Sequence, residues 1–239
     1  MAGGRRKLLF LGAGVFQVAA IRKAVELGYR VLSVDYLPGN IGHRYSHEYA
    51  NASTRDYDAV LDVARRHRID GIFTMASDVA LPTLARVASD LGLPGPDEGV
   101  VDTMINKDRF RPFQAEHGID APAAIEVEQY EEVVDRWNNG PAIIRPAVSS
   151  GSRGMARFDT MNGMRRAQFD SAREFSTTGK VCIEEYIGGT DLSVEGYVIG
   201  GSVRLAFVTQ KHVEGFAVVG HDLPGQLPLR TRERAVASV

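Results

Sequence analysis

The sequence predicts an α/β domain followed by an α+β domain, and three observations carry that prediction. Over residues 1–95, short apolar runs alternate with amphipathic helical patterns, the signature of a parallel sheet covered on both faces. The turn-rich segment Leu93-Pro94-Gly95-Pro96 then breaks the pattern, so a second domain is expected over 96–239. Beyond it, strand-like runs follow one another around glycine turns, as in an antiparallel sheet.

Each element has its own warrant. Lys7 to Leu11 is an apolar run ending in Gly12-Ala13-Gly14, and a 3.6-residue periodicity extends from Gln17 to Leu27, where Gly28 stops it. Tyr29 to Val34 reads as a strand ending in Asp35. Asp56 to Arg66 is amphipathic, Gly71 to Met75 is a short buried strand, and Ala80 to Leu91 is helical up to Gly92. Past the junction, Val100 to His117 reads as one or two charged helices and Ala124 to Val127 as a strand. Tyr130 to Trp137 is helical, and Asn138-Asn139-Gly140-Pro141 is a turn. Ala142 to Arg145 and Met155 to Phe158 form a hairpin, and Ala167 to Phe175 forms a helix. Val181 to Tyr186, Leu192 to Ile199 and Val203 to Gln210 are strands, with Gly200-Gly201 a two-residue hairpin turn. Thr231 is expected to cap a helix running to Val239, and a pattern that reaches the last residue predicts a fragment of a longer protein.

Composition narrows the function. The 239 residues carry a formal net charge of −2, which argues against nucleic acid or an anionic membrane as partner. Basic clusters at Arg5-Arg6-Lys7 and Arg65-Arg66-His67-Arg68 are short enough to be solvated surface. Cys182 stands alone between Val181 and Ile183, so no intrachain disulfide is available and a buried strand thiol is expected. No apolar run approaches the length of about 18 residues needed to span a bilayer, and a cytoplasmic location is the default expectation. His43 and His47 have helical spacing, but Gly42, Tyr45 and Tyr49 predict an exposed loop or short extended segment there and no zinc site.

Three segments can carry chemistry. In the first, Gly12-Ala13-Gly14-Val15-Phe16-Gln17 with Asp35 half-matches a dinucleotide fingerprint, and Gln17 replaces its third glycine. An NAD(P)-dependent oxidoreductase is the alternative function this leaves open. The second is the Ala142–Gly154 hairpin, whose Ser149, Ser150, Gly151, Ser152 and Gly154 can close a backbone over phosphate oxygens beside the cation Arg145. It lacks the Gly-Lys-Ser/Thr and following helix of a Walker loop, and the same residues also suit an ordinary hairpin tip. Lys107, behind the helix-capping residue Asn106, adds a second cation. The third is Ile183-Glu184-Glu185-Tyr186-Ile187-Gly188-Gly189-Thr190-Asp191, where a strand end can meet an adenine edge and a later carboxylate can take ribose hydroxyls. A solvated acidic turn is its bland reading.

Taken in order, Lys107, the Ile-Ile-Arg-Pro strand, Ser150-Gly151-Ser152-Arg153-Gly154 and the Ile-Glu-Glu-Tyr-Ile-Gly-Gly-Thr-Asp segment resemble the ATP-grasp enzymes. Residues 1–95 resemble the Rossmann-like domain that precedes the ATP-grasp domain, and about 120–187 would form its small lid subdomain. The resemblance implies an ATP-dependent carboxylate–amine ligase working through an acylphosphate, with ATP and Mg2+ as cofactors and small-molecule carboxylate and amine substrates. A homodimer is compatible with it, and a non-catalytic nucleotide-binding module is a further alternative. It implies that Lys107 and Arg145 contact the α/β-phosphates and that Ser149 to Gly154 form a lid. Glu184 would meet the adenine amino group, with Glu185, Tyr186 and Ile187 along the ring edge and Asp191 on the ribose. Lys211 would contact the γ-phosphate, while Asp78, Glu195 and His221 would face the acceptor. Two departures accompany it. Most members carry lysine where this chain has Arg145, and the family's acidic-pair and asparagine metal ligands have no counterpart here, so no metal ligand is assigned and this chain alone is expected to be inactive.

Overall fold

The computed structural model describes residues 6–138, 140–148 and 153–237, with the side chains of Lys107, Asp108 and Met161 outside that description. The chain divides into two compact units, 1–105 and 106–239.

The first unit opens with β1 (Lys7–Leu11), a 3-10 turn over Val15–Gln17, α1 (Val18–Glu26) and β2 (Arg30–Asp35). It continues through β3 (Glu48–Asn51), α2 (Tyr57–His67), β4 (Gly71–Thr74), α3 (Leu81–Asp90) and α4 (Glu98–Ile105). All pairings in its sheet are parallel, in the order β3-β2-β1-β4. Because successive strand side chains point to opposite faces, Leu9, Leu11, Leu32 and Val34 pack with α2 and α3, while Phe10 and Val31 pack with Ile21 and Ala24 of α1. Both faces are covered, as the near-continuous apolar runs require. Asp56 caps α2 by accepting from Ala59 N at 3.1 Å, and Arg68 ends it in a left-handed conformation.

The boundary falls ten residues beyond the expected junction at 95/96. Gly95 lies so close to α3 that a Cβ there would come within 2.6 Å of the Ala88 Cβ, and Val101 of α4 is buried. The Pro-Gly-Pro turn therefore folds the chain back onto the first unit before it leaves.

The second unit contains α5 (Lys107–Glu116), β5 (Ala124–Val127), α6 (Tyr130–Arg136), β6 (Ala142–Pro146), β7 (Ala156–Phe158), α7 (Arg166–Glu174) and β8 (Val181–Glu185). It ends with β9 (Leu192–Ile199), β10 (Ser202–Glu214), β11 (Ala217–Asp222) and α8 (Leu229–Ala237). Strands β5-β8-β6-β7 form one antiparallel sheet and β11-β10-β9 another. One face of the four-stranded sheet packs Val127, Ile144, Phe158, Val181 and Ile183 against Trp137 and Phe169. Trp137 is 2% exposed and satisfies its indole N–H on the Gly140 carbonyl at 3.1 Å. The Gly200-Gly201 turn has φ of 57° and 73°, the positive pair that a tight hairpin with natural strand twist needs. Among the described residues no helix is long and apolar enough to cross a membrane.

Two further expectations are corrected. Helix α8 starts at Leu229, and Thr231 lies inside it with its N–H on the Pro228 carbonyl at 2.9 Å, so Thr231 is not the cap. His43 is buried, not in an exposed loop, with Nδ1 2.7 Å from Ser33 Oγ. His47 Nδ1 accepts from Val31 N at 3.1 Å, so both imidazoles brace β2.

Candidate nucleotide site

The side of the β5-β8-β6-β7 sheet opposite its core carries the polar groups. Cross-strand partners point to the same face, and the register pairs Arg145 with Cys182, Ile143 with Glu184, and Glu126 with Cys182. Glu184 is buried, with a side chain 7% exposed, and takes Arg145 from β6 and Arg111 from α5 on the same oxygen, Oε1. The Arg111 Nε–Oε1 distance is 3.0 Å, and Arg111 NH1 also donates to Gln114 Oε1 at 2.5 Å. Two guanidiniums around one carboxylate leave a net positive charge on this face. Next to them a cavity of about 540 Å³ opens, lined by Arg111, Pro112, Ile119, Ala124, Glu126 and Cys182.

Burial pushes the Cys182 thiol up to about 12, with the Glu184 carboxylate adding to the shift and Arg145 opposing it. The protonated sulfur is a packing atom here and not a nucleophile.

The segment after β8 is built from short backbone ties. Glu185 N donates to Ala123 O at 2.8 Å and Tyr186 N to Pro141 O at 2.9 Å. Arg157 of β7 stacks its guanidinium 3.7 Å from the Tyr186 ring centroid, and Ile187 is exposed beside it. At the far end of the hairpin loop, Gly154 has φ of 67°, and a Cβ there would meet Ser171 O at 3.0 Å and Ala172 Cα at 3.1 Å. Only glycine lets the loop return this close to α7. Ser149, Ser150, Gly151 and Ser152 lie outside the described residues, as does the Lys107 side chain; the Lys107 backbone begins α5. Asn106 precedes it in an extended conformation and caps with its carbonyl, which accepts from Phe110 N at 2.8 Å, without a side-chain cap bond.

On the three-stranded sheet the register sorts the remaining candidates. Thr209 pairs with Ser193, Phe207 with Glu195, and Lys211 with His221, so Ser193, Glu195, Thr209, Lys211 and His221 share one face. His221 Nδ1 is 3.0 Å from the buried Thr209 Oγ1, and the Asp191 carbonyl accepts from Lys211 N at 2.9 Å. In the first unit, Asp78 is exposed and begins the 3-10 turn after β4.

The Gly12 turn departs from a dinucleotide site. Asp35 Oδ2 accepts from Ala13 N at 2.9 Å and its Oδ1 from Leu37 N at 3.0 Å, so the carboxylate that would bind a ribose is already engaged. The Gln17 side chain fills the space beneath the turn, within 3.3 Å of a Cβ built on Gly12, and donates to Met75 O. Among the described residues, no three His, Cys, Asp or Glu side chains converge as a metal site.

Arg111 and Gln114 were absent from the sequence expectations. The signal available was position alone: Arg111 lies one helical turn after Lys107, the spacing that puts two side chains on one helix face.

A Rossmann-like parallel sheet followed by these two antiparallel sheets is the ATP-grasp fold. The comparisons agree. The structure superposes on the ADP complex of N5-carboxyaminoimidazole ribonucleotide synthetase with a TM-score of 0.81 at 14% identity, covering 98% of this chain and 61% of that one. L-amino acid ligase from Bacillus licheniformis matches with a TM-score of 0.75 at 21% identity, over 99% and 59%. In sequence, the chain is 22% identical over 192 residues to formate-dependent phosphoribosylglycinamide formyltransferase of Methanocella arvoryzae, covering 79% of this chain and 44% of the relative. The enzyme of the same name from Thioalkalivibrio sulfidiphilus is 25% identical over 188 residues, covering 76% and 47%. The chain thus spans under half the length of these curated relatives. No protein-family model matches it.

Proposed function

We propose that the chain is the nucleotide-holding part of an ATP-dependent carboxylate–amine ligase. The observation that carries the reading is the Arg111–Glu184–Arg145 cluster, a buried carboxylate with surplus positive charge on the open face of the lid sheet. Surplus cationic charge suits a polyphosphate, and both described contacts to Glu184 end on Oε1, which leaves Oε2 for an adenine amino group.

In this reading Lys107 and Arg145 take the α/β-phosphates, and Ser149, Ser150, Gly151, Ser152 and Gly154 form the lid. Glu185, Tyr186 and Ile187 border the base, and Asp191 takes the ribose. Lys211 meets the γ-phosphate; Glu195 and His221 share its face. Asp78 stands at the acceptor side of the first unit. A substrate carboxylate oxygen attacks the γ-phosphorus as ADP leaves, and an amine then attacks the acyl carbon as phosphate leaves. The cations hold the transferring charge in place, which is most of what a protein contributes to phosphoryl transfer. Magnesium would add charge neutralisation there, from ligands outside the described residues. A cytoplasmic enzyme, with a homodimer as its assembly, completes the proposal.

The relatives' names divide between a phosphoribosyl amine and amino acids, so the acceptor is best found by screening. Phosphate release by the whole gene product, measured against amines and carboxylates including formate, should rise with one such pair and depend on ATP. Release that no pair stimulates would refute the ligase reading.

A further inference from the structure

Two arginines hold one carboxylate, but they are not equivalent. Arg111 has a second anchor, since its NH1 donates to the buried Gln114 Oε1 at 2.5 Å. Among the described residues, Arg145 has Glu184 alone as a strong acceptor, and its Nε is buried without a hydrogen-bond partner. Its cross-strand neighbour Cys182 offers only sulfur, a weak acceptor. A buried donor without an acceptor among the described residues leaves a place for a ligand oxygen.

We propose that Arg111 is a positioning residue that keeps Glu184 paired while Arg145 leaves it for a polyphosphate oxygen. The inference rests on the nucleotide-site reading above. Abandoning a buried carboxylate is strongly unfavourable, so a lone Arg145–Glu184 pair would stay closed and serve phosphate poorly. With Arg111 fixed by Gln114 on the same carboxylate oxygen, that penalty is smaller. Arg145 then turns to the ligand and its orphaned Nε gains an acceptor. Glu184 keeps its place for the base, so the base and phosphate ends of the site are served by different members of one cluster.

The test compares ATP with adenosine, which lacks phosphates, by competition binding and calorimetry on the whole gene product. Arg111→Gln should weaken ATP on the order of tenfold, the loss of one charge-assisted contact, while adenosine affinity stays level. Adding Glu184→Gln, which weakens ATP and adenosine alike through the base, should bring the ratio of their affinities back to that of Glu184→Gln alone, because a neutral amide no longer tethers Arg145. Arg111→Lys, which keeps the charge, should stay close to the unsubstituted protein and covers the case in which Arg111→Gln fails to fold. Equal losses for ATP and adenosine, no loss for either, or no return of that ratio in the double substitution would overturn the role of Arg111. An unsubstituted protein that binds no ATP would instead remove the nucleotide-site reading, and this role with it.

Discussion

Gln17 Nε2 donates to the Met75 carbonyl at 2.6 Å, tying the turn after β1 to the end of β4 across 58 residues. The amide occupies the place where a dinucleotide site would need a third glycine, and it does so as a structural brace. Neither NAD nor NADP should therefore raise the thermal midpoint, whereas ATP should. Gln17→Ala should destabilise the first unit by about 1–3 kcal/mol, because it empties a buried position and leaves Met75 O without its donor. Differential scanning fluorimetry reads both effects; stabilisation by NAD alone would reverse the assignment.

Glu184→Leu leaves two guanidiniums facing each other across an apolar side chain. The expected cost is about 2–4 kcal/mol, somewhat below a fully buried pair because the arginine side chains keep 24% and 17% exposure. Urea unfolding should show the loss, and Glu184→Gln should recover part of it. A fully stable leucine variant would mean that the cluster is held from elsewhere.

Lys107→Ala and Arg145→Ala should each weaken ATP binding, by about tenfold if each supplies one charge-assisted contact. Calorimetry decides the matter: unchanged affinity in both variants would move the phosphates away from α5 and β6.

Gly154→Ala introduces a Cβ where φ is 67° and the carbonyl of Ser171 lies 3.0 Å away. A loss of about 1–3 kcal/mol is expected from the combined backbone strain and contact. The same substitution at Gly179, also at positive φ but with nothing within 4 Å, should cost less. Equal thermal shifts for the two would show that packing against α7 is irrelevant.

Cys182 should resist thiol reagents in the folded protein and react once it is unfolded. Its pKa rises from 9.0 to about 12 on folding, so the folded state holds its proton more tightly than the unfolded one. That stability is complete below pH 9 and is lost as pH climbs from there towards 12. A Cys182→Ser variant should flatten this part of the stability–pH curve; an unchanged slope would assign it to other groups.

Periodicity exposed most of the fold because long stretches have one clear partner. The Leu9/Leu11 and Phe10 alternation, the α2 face and the glycine-turned β9–β10 hairpin were all legible. Strands β3 and β11 were not: Glu48-Tyr49-Ala50-Asn51 is short and half polar, and Gly220 interrupts β11, so only their neighbours make them strands. In the site, Glu184 and Arg145 stood out because their segments pair a charge with a strand end. Arg111 did not, because its role comes from α5 lying against a sheet that is distant in sequence. Gln17 looked like a defect in a motif until Met75 supplied its partner.

Glu195, Lys211 and His221 come from three different strands and share a side only through the backbone ladder of β9, β10 and β11. The irregular steps in that ladder fall outside them, between Val203 and Leu205 and after His212. Substitution of the intervening side chains can therefore retune this surface without moving its polar groups. A single inserted residue between Phe207 and Lys211, by contrast, would send Lys211 to the reverse side and leave Glu195 behind. Drift in side chains and drift in length are thus very unequal risks for this surface.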